Sequence, residues 1–397
     1  MGLLYMTELT EAVKQPNKAI FFIRMILAML LFMFSIDLLT VSMLQMNSGL
    51  AQDILQATNN PFVGLFIGLL MTALIQSSST VTAMIVAVVA SGNLNLMQAV
   101  PLIMGANIGT TLTSTLVSFS FIMKKGEFKK ALSAGVIHDI FNIITVIILF
   151  PLEIYFGLLS NAAMFLTNTF FDSESSLSNK YQYNVIFTRP ATLWFISLIK
   201  TPIFGLILSV ILVFLAIKFL SETVFKSFVS GNFKKVSKHI FKNPGVAFLY
   251  GIFFTAAVQS STVTTSLIVP AVANRKVSLI KVFPFIIGAN IGTTITAVIA
   301  AIYKTEAAIS IAIVHILFNL VGAAIFLPFP SIRKIPVKIA TFLGRESVKT
   351  RIVGLAYILL TFFIIPFLLI YFNKNEDLRQ SHYKYKKPVE TEISKKL

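Results

Sequence analysis

Two short polar runs interrupt apolar sequence at points where chemistry is possible. Gln76-Ser77-Ser78-Ser79-Thr80 breaks the stretch from Pro61 to Ala90, and Gln259-Ser260-Ser261-Thr262 breaks the stretch from Gly245 to Ala273. Each half beside a break has about 13 residues, ~20 Å as a helix. That is too short for a hydrocarbon core of about 30 Å. Two short halves meeting at a polar corner read as a re-entrant hairpin, which is tolerated at depth only when packed in protein or lining a cavity. At such a corner the second half-helix presents free N–H groups and the positive end of its dipole, which favour an anion. Serine hydroxyls cap those groups or donate to a bound oxyanion. The first half-helix ends in free carbonyls. With the Gln76 or Gln259 side-chain oxygen and threonine hydroxyls, they suit a small hard cation.

A second motif repeats the theme. Gly105-Ala106-Asn107-Ile108-Gly109-Thr110-Thr111 recurs as Gly288-Ala289-Asn290-Ile291-Gly292-Thr293-Thr294. Asn107 and Asn290 are expected to interrupt their helices, Gly109 and Gly292 to open a turn, and the threonine pairs to cap the next helical segment. A lone Ser or Thr in a helix is usually bonded to its own backbone, and Thr82, Ser114 and Ser118 are read that way. Gln76, Ser77, Ser78, Gln259, Ser260 and Ser261 read as ligand contacts, because they come in matched sets.

Asp139 stands in the otherwise nearly apolar run Gly135–Phe150. An intramembrane carboxylate is a functional-site candidate by default, and Asp139 is expected to bind a cation. Its counterpart in the second copy is Ile316. His138 and His315, matched in the same way, are expected to be satisfied structural histidines. Asp37 is read as bland, and Lys200 is left without a role.

These residues belong to an internal repeat. An offset of 183 residues takes Gln76 to Gln259, Pro101 to Pro284 and the first GANIGTT onto the second without a gap. An offset of 177 takes His138-Asp139-Ile140-Phe141-Asn142 to His315-Ile316-Leu317-Phe318-Asn319. Three crossings are read between the hairpins, so the second copy is inverted. Inverted repeats with broken helices and a site between them are the architecture of secondary transporters.

Composition demands a membrane. Of 397 residues, 56% are hydrophobic and 12% charged, against about 25% charged in soluble domains. Mean hydropathy is +0.83. An ordinary cytosolic enzyme and a disordered regulator are excluded. Net charge is +17, but the cations sit in short clusters between apolar runs, so nucleic acid is not a partner and the lipid bilayer is. With no Cys, disulfides, thiolate metal sites and Cys nucleophiles are excluded. Met1–Lys18 is polar and does not read as a signal peptide.

The fold class expected is an all-α polytopic membrane protein of two inverted-topology repeats, each with a re-entrant hairpin and a discontinuous helix. Its parts are a cytoplasmic segment 1–19, a first transmembrane helix with outer loop 20–60, and repeat 1 over 61–150. Within repeat 1 fall a hairpin 61–91, a broken helix 96–122 and a helix 130–150. An outer loop 151–190 with a surface helix comes next, then a transmembrane helix with a cytoplasmic loop, 191–244. Repeat 2 covers 245–328, with a hairpin 245–274, a broken helix 280–302 and a helix 307–328. A basic amphipathic segment 329–351, a last transmembrane helix 352–373 and a basic tail 374–397 complete the chain. The lysines at 124–130 and 220–244 place those loops and the N-terminus inside, and 46–61 and 151–190 outside.

The doubled QSS[S/T] and GANIGTT motifs resemble the type II sodium-coupled phosphate cotransporters. So do His138-Asp139-x-Phe141-Asn142 and Phe150-Pro151-Leu152-Glu153, and the likeness covers nearly the whole chain. The resemblance implies inward movement of inorganic phosphate on the sodium gradient, in a multi-pass plasma-membrane protein. Sodium ions are then co-transported ligands and no resident cofactor is needed. It implies that Ser77, Ser78, Ser260 and Ser261 hold phosphate, joined here by Gln76, Asn107 and Asn290. Gln259, Thr293 and Thr296 would form one sodium site. Asp139 and Asn142 would serve a further sodium and electrogenic transport, and Thr110 and Thr115 are placed with the sodium residues.

The chain departs from the family in three ways. Its second corner reads QSST, its short outer loop lacks the cysteines of the animal members, and lysines replace polar residues at 124–130. The expectation is therefore a compact sodium/phosphate symporter working by alternating access, and not an enzyme. The rivals are a symporter of another oxyanion such as arsenate or sulfate, a phosphate-gated sensor or channel, and an intramembrane serine hydrolase using His138 or His315. The hydrolase lacks a GxSxG elbow.

Overall fold

The computed structural model describes residues 18–46, 58–171, 188–199, 201–224, 240–301 and 305–373. Most of the segment 1–19, all of 225–239 within the loop 220–244, and the tail 374–397 lie outside the described residues. The described residues are helical, with no strand among them.

The first part of the chain forms α1 (Lys18–Leu44), α2 (Pro61–Ile75), α3 (Ser78–Ala90), α4 (Leu96–Gly109), α5 (Leu112–Ser118), α6 (Lys125–Phe156) and α7 (Leu158–Phe171). Next come α8 (Arg189–Ile199), α9 (Pro202–Val224), α10 (Pro244–Val258), α11 (Ser261–Ser266) and α12 (Ile268–Ala273). The chain then continues through α13 (Leu279–Ala301), α14 (Glu306–Phe326), α15 (Pro330–Lys349), α16 (Ile352–Leu359) and α17 (Ile365–Asn373). Among the described residues, seven spans are long and apolar enough to cross a membrane, and α2, α3, α10 and α11–α12 are apolar but too short. The molecule is a polytopic all-α membrane protein.

The two hairpins start alike. Asn60 and Asn243 cap α2 and α10 through their side-chain oxygens, and Pro61 and Pro244 stand at the first helical position. Proline suits that position because no intrahelical partner awaits its missing N–H. Between α8 and α9, Pro202 restarts the chain as a new helix, so the single crossing expected over 191–219 is two helices. A widened π turn at Leu360–Ile364 separates α16 from α17 just ahead of Pro366, which cannot donate to the previous turn.

One expectation is overturned. The first GANIGTT does break, at Thr110–Thr111 between α4 and α5, but the second lies inside the continuous helix α13. Asn107 and Asn290 are helical, so neither interrupts its helix. The glycines serve close approach instead of turning. A Cβ on Gly105 would meet the Leu65 carbonyl at 1.8 Å, and one on Gly288 would meet the Phe248 carbonyl at 2.0 Å. α2 thus lies on α4, and α10 on α13, with their backbones nearly touching. Small residues allow this approach, and van der Waals packing then holds helices together where lipid leaves no hydrophobic drive between them. The break in the first copy coincides with a carbonyl facing the other repeat, because Thr110 O accepts from Thr262 Oγ1 at 3.4 Å.

Two polar devices anchor the periphery. Asp37 in α1 pairs with Arg189 at the start of α8 at 3.3 Å, with side-chain exposures of 0% and 7%. Asp37 is therefore half of a buried ion pair and not bland. Gly157, at φ 60°, ends α6. Beyond it the buried Glu153 carboxylate accepts from Leu159 N at 2.7 Å and from the Ser160 hydroxyl, capping the surface helix α7. α7 then buries Leu159, Ala163 and Thr167, one turn apart, and Thr167 bonds Ser310 of α14 at 2.8 Å.

Gly105→Ala is expected to destabilise the protein by about 1–3 kcal/mol through overpacking against Leu65. Gly126→Ala, where nothing lies within 4 Å of the new Cβ, is expected to leave stability unchanged. Thermal unfolding of the two purified variants checks this, and equal melting temperatures would refute the packing role.

Candidate functional site

Both corners are built the same way. Gln76 and Gln259 sit in the left-handed region at φ 58° and 53°, and their N–H groups close the preceding helix onto Thr72 and Thr255. A side chain there costs roughly 1–2 kcal/mol relative to glycine, so a glutamine at both corners is held against local preference. Ser77 and Ser260 come next in extended geometry and cap the second helix, accepting from Thr80 N at 3.2 Å and Val263 N at 3.3 Å. Each capping oxygen acts as acceptor toward the backbone, which leaves the hydroxyl proton for another acceptor. Ser77 shares it with the Thr80 hydroxyl at 2.8 Å. Gln76 is exposed, Ser77, Gln259 and Ser260 are half-buried, and Ser78 and Ser261 are buried.

The corners meet. Ser79 Oγ donates to the Gln259 carbonyl at 3.1 Å. Thr296 Oγ1, from α13, reaches Ser79 Oγ at 3.5 Å. Three oxygens from three elements thus gather where the first hairpin touches the second: a backbone carbonyl and two hydroxyls. Thr262, the counterpart of Ser79, also reaches into the other repeat, but to Thr110 O at the break between α4 and α5 and not to the first corner. Ser114 pairs with Thr265 at 2.8 Å across the same seam, so Ser114 is a cross-repeat contact and not a backbone-bonded residue. Ser118 does bond its own helix, at Thr115 O. Thr293 Oγ1 is turned to Ala289 O, and Thr110 Oγ1 to Ala106 O.

A buried amide–imidazole layer holds the halves together. His138 of α6 contacts Asn290 Oδ1 of α13 at 2.6 Å, and His315 of α14 contacts Asn107 Oδ1 of α4 at 3.3 Å. Each Nδ2 is committed elsewhere, Asn290 to Asn142 Oδ1 and Asn107 to Ile103 O. With each Asn Oδ1 as the acceptor, each ring donates from Nε2. Asn142 Nδ2 donates to Asn107 O at 2.6 Å, and Asn319 Nδ2 to Asn290 O at 3.4 Å. Asn290, expected at the anion, thus uses both ends of its amide to tie its copy to the other, whereas Asn107, expected there too, crosses only through Oδ1 and turns its Nδ2 to its own helix. Asn142, expected at a cation, is likewise occupied in this layer.

Asp139 is fully buried. One oxygen, Oδ2, accepts from Thr115 Oγ1 at 3.2 Å and from Tyr357 of α16 at 3.1 Å. The other, Oδ1, has no hydrogen-bond partner. The neighbour of Thr115, Ser114, bonds Thr265, which in turn donates to Ser261 O at 2.8 Å. Adjacent residues of α5 thus contact the carboxylate, through Thr115, and the second hairpin, through Ser114. No group of three or more His, Cys, Asp or Glu suited to a metal occurs among the described residues, so any cation at this site would be held by hydroxyls, carbonyls and one carboxylate.

Sequence reasoning misses Ser79, Thr265 and Tyr357. The first is findable, because the 183-residue offset pairs Ser79 with Thr262. Tyr357 lies 218 residues from Asp139, and no local pattern marks it.

Comparison with known proteins points the same way. A profile of the Na+/Pi-cotransporter family matches residues 31–163 and 212–360. The chain belongs to this family. Sodium-dependent phosphate transport protein 2A of Ovis aries is 29% identical over 424 positions, covering 85% of this chain and 65% of its own length. The 2A protein of Mus musculus is 28% identical, covering 91% of this chain and 69% of its own. The 2B protein of Homo sapiens is 28% identical, covering 78% and 58%. This chain thus spans a little under two thirds of the sheep relative. No solved structure matches it.

The crossed pairs are expected to be energetically coupled. His138→Ala and Asn290→Ala should each lower stability, and the double variant should lose less than the sum by about 1 kcal/mol or more. Additive losses in a double-mutant cycle would show that the contact contributes nothing.

Proposed function

We propose that the protein is a secondary active transporter that carries inorganic phosphate into the cell with sodium, by alternating access. The observation that carries this reading is the meeting of two matched glutamine–serine corners within hydrogen-bond reach of each other. Each corner brings capping hydroxyls and a helix start, which suit an oxyanion. Beside them lies the cluster of the Gln259 carbonyl, Ser79 and Thr296, whose neutral oxygens suit an alkali ion. The sheep, mouse and human relatives are sodium-dependent phosphate transport proteins, and their names agree with the site chemistry.

On this reading Ser77, Ser78, Ser260, Ser261 and Gln76 contact phosphate. Gln259, Thr296 and Thr293 serve one sodium. The unpartnered Asp139 oxygen, with Thr115, serves another, and Thr110 contributes through its carbonyl side of the seam. Sodium must bind first for electrostatic reasons. Phosphate at neutral pH is a mixture of mono- and dianion, and moving either from water into a low-dielectric site unpaired is prohibitive. A cation already in place raises anion affinity, and linkage makes the effect mutual. The buried Asp139 offers a negative charge that a sodium neutralises, so charge moves with each cycle. The N-terminus and the lysine-rich turn at 124–130 face the cytoplasm of the plasma membrane, and the second repeat is inverted relative to the first.

The deciding experiment is phosphate uptake into proteoliposomes with and without an inward sodium gradient. Uptake above equilibrium only with the gradient is expected, and equal uptake in both conditions would refute coupling. Sulfate and arsenate competition separates other oxyanions. Ser77→Ala combined with Ser260→Ala should lower uptake by at least two orders of magnitude, since two caps with charged-ligand bonds of about 1.5–3 kcal/mol each are lost. Undiminished uptake by the folded double variant would remove the corners from the site. Asp139→Asn should preserve folding and reduce the charge moved per phosphate. An unaltered current-to-flux ratio would argue against its cation role.

A further inference from the structure

Away from the corners, cations gather at the open end of the second hairpin. A cleft of about 370 Å³ is bounded by Lys129, Lys130 and Ser133 of α6, Arg275 and Ser278 in the turn between α12 and α13, and Thr341 of α15. A second hollow of about 410 Å³ continues past Arg275 to Lys124, Lys125 and Glu127. Glu127 is the only carboxylate bounding either hollow among the described residues, and it is paired with Lys124 at 3.6 Å. Lys129, Lys130 and Arg275 form no ion pair among the described residues.

The backbone shows that the arginine is placed against preference. Arg275 sits at φ 57°. Its N–H donates to Val272 O and the Lys276 N–H to Ala271 O, the two bonds of a helix ending that favours glycine at this position. The 183-residue offset takes Arg275 back to Gly92, which has φ 76° in the first repeat. Where one copy uses the residue suited to the turn, the other holds a cation there. The 177-residue offset takes Lys129 and Lys130 to Glu306 and Ala307. The cations therefore mark one end of a repeated architecture and not the other.

The helix beside the cleft is amphipathic. α15 exposes Ile335, Ile339 and Phe342 along one side, at 49%, 40% and 53%. Lys334, Lys338 and Arg345 flank them. An amphipathic helix of this kind lies in the plane of the headgroups with its apolar side in the acyl boundary.

We propose that this cleft is a second anion site, binding a phosphate group between Lys129, Lys130 and Arg275, with the Ser278 hydroxyl at the start of α13. Unpaired cations around a hollow of this size at headgroup level suit a phosphate group. The same chemistry is presented by an anionic phospholipid headgroup and by free inorganic phosphate. The cytoplasmic placement of the cleft rests on the orientation given under Proposed function, and the anion chemistry does not.

The test uses the full chain purified in detergent, with Arg275→Gly, Lys130→Gln and their combination. Arg275→Gly installs the residue of the first repeat, so it should fold and melt no lower than the unmodified protein. If it aggregates, Lys130→Gln alone carries the same expectation. One arm measures retention of phosphatidylglycerol against phosphatidylcholine by native mass spectrometry. The other measures inorganic phosphate binding in a Ser77→Ala, Ser260→Ala background, which removes the corners' contribution. Each cation removed should weaken binding about fivefold in the arm that carries the natural ligand. A loss confined to phosphatidylglycerol identifies a lipid headgroup, and a loss confined to phosphate identifies the free ion. Equal retention of the two lipids, with unchanged phosphate binding in every variant, would overturn the proposal whether or not the corners transport phosphate.

Discussion

A helix that stops inside a bilayer exposes N–H and C=O groups that no water can satisfy, and each costs several kcal/mol if left bare. The design of the two corners answers that constraint. Gln76 and Gln259 turn left-handed to close the first helix, and Ser77 and Ser260 turn extended to cap the second. The opposite repeat adds to this, with Ser79 reaching the Gln259 carbonyl and Thr262 the Thr110 carbonyl at the break between α4 and α5. The polar centre is stable because each half completes the other.

Three layers divide the labour. Glycine seams at Gly105 and Gly288 bring each hairpin onto the broken or continuous helix after it, with no room for a side chain. Beside the corners, histidines and asparagines join the two copies through hydrogen bonds. The charges that are buried sit apart. Asp37 and Arg189 neutralise each other at the periphery. Asp139 is held by two hydroxyls on one oxygen only.

Much of this is readable from residue order. Seven spans emerge from the length of apolar runs, and the hairpins from polar interruptions too deep for a loop. Asn-Pro before each hairpin announces its start. The corners are legible because the motif occurs twice, and duplication filters out the many serines that merely bond their own helix. The second GANIGTT misleads because glycine has two uses, turning and close approach, and sequence alone does not say which. The same ambiguity hides the role of Asn107 and Asn290, since an amide suits an oxyanion and an imidazole equally. Arg189 for Asp37, and Tyr357 for Asp139, are partners brought together by the fold from remote sequence, and no period or spacing marks them. Glu153 is visible as part of a motif, but its task as a cap for α7 depends on the left-handed Gly157 between them.

The crossed histidine–asparagine contacts carry a record of ancestry. His138 meets the asparagine of the other copy, and His315 meets that of the first. This is the pattern of an isologous interface, in which the same two residues touch twice across a twofold axis. A single copy of this unit would make both contacts as a homodimer, whereas in one chain each position can vary separately. Substitutions at 138 should accordingly covary with 290 and not with 107, which lies in the same half.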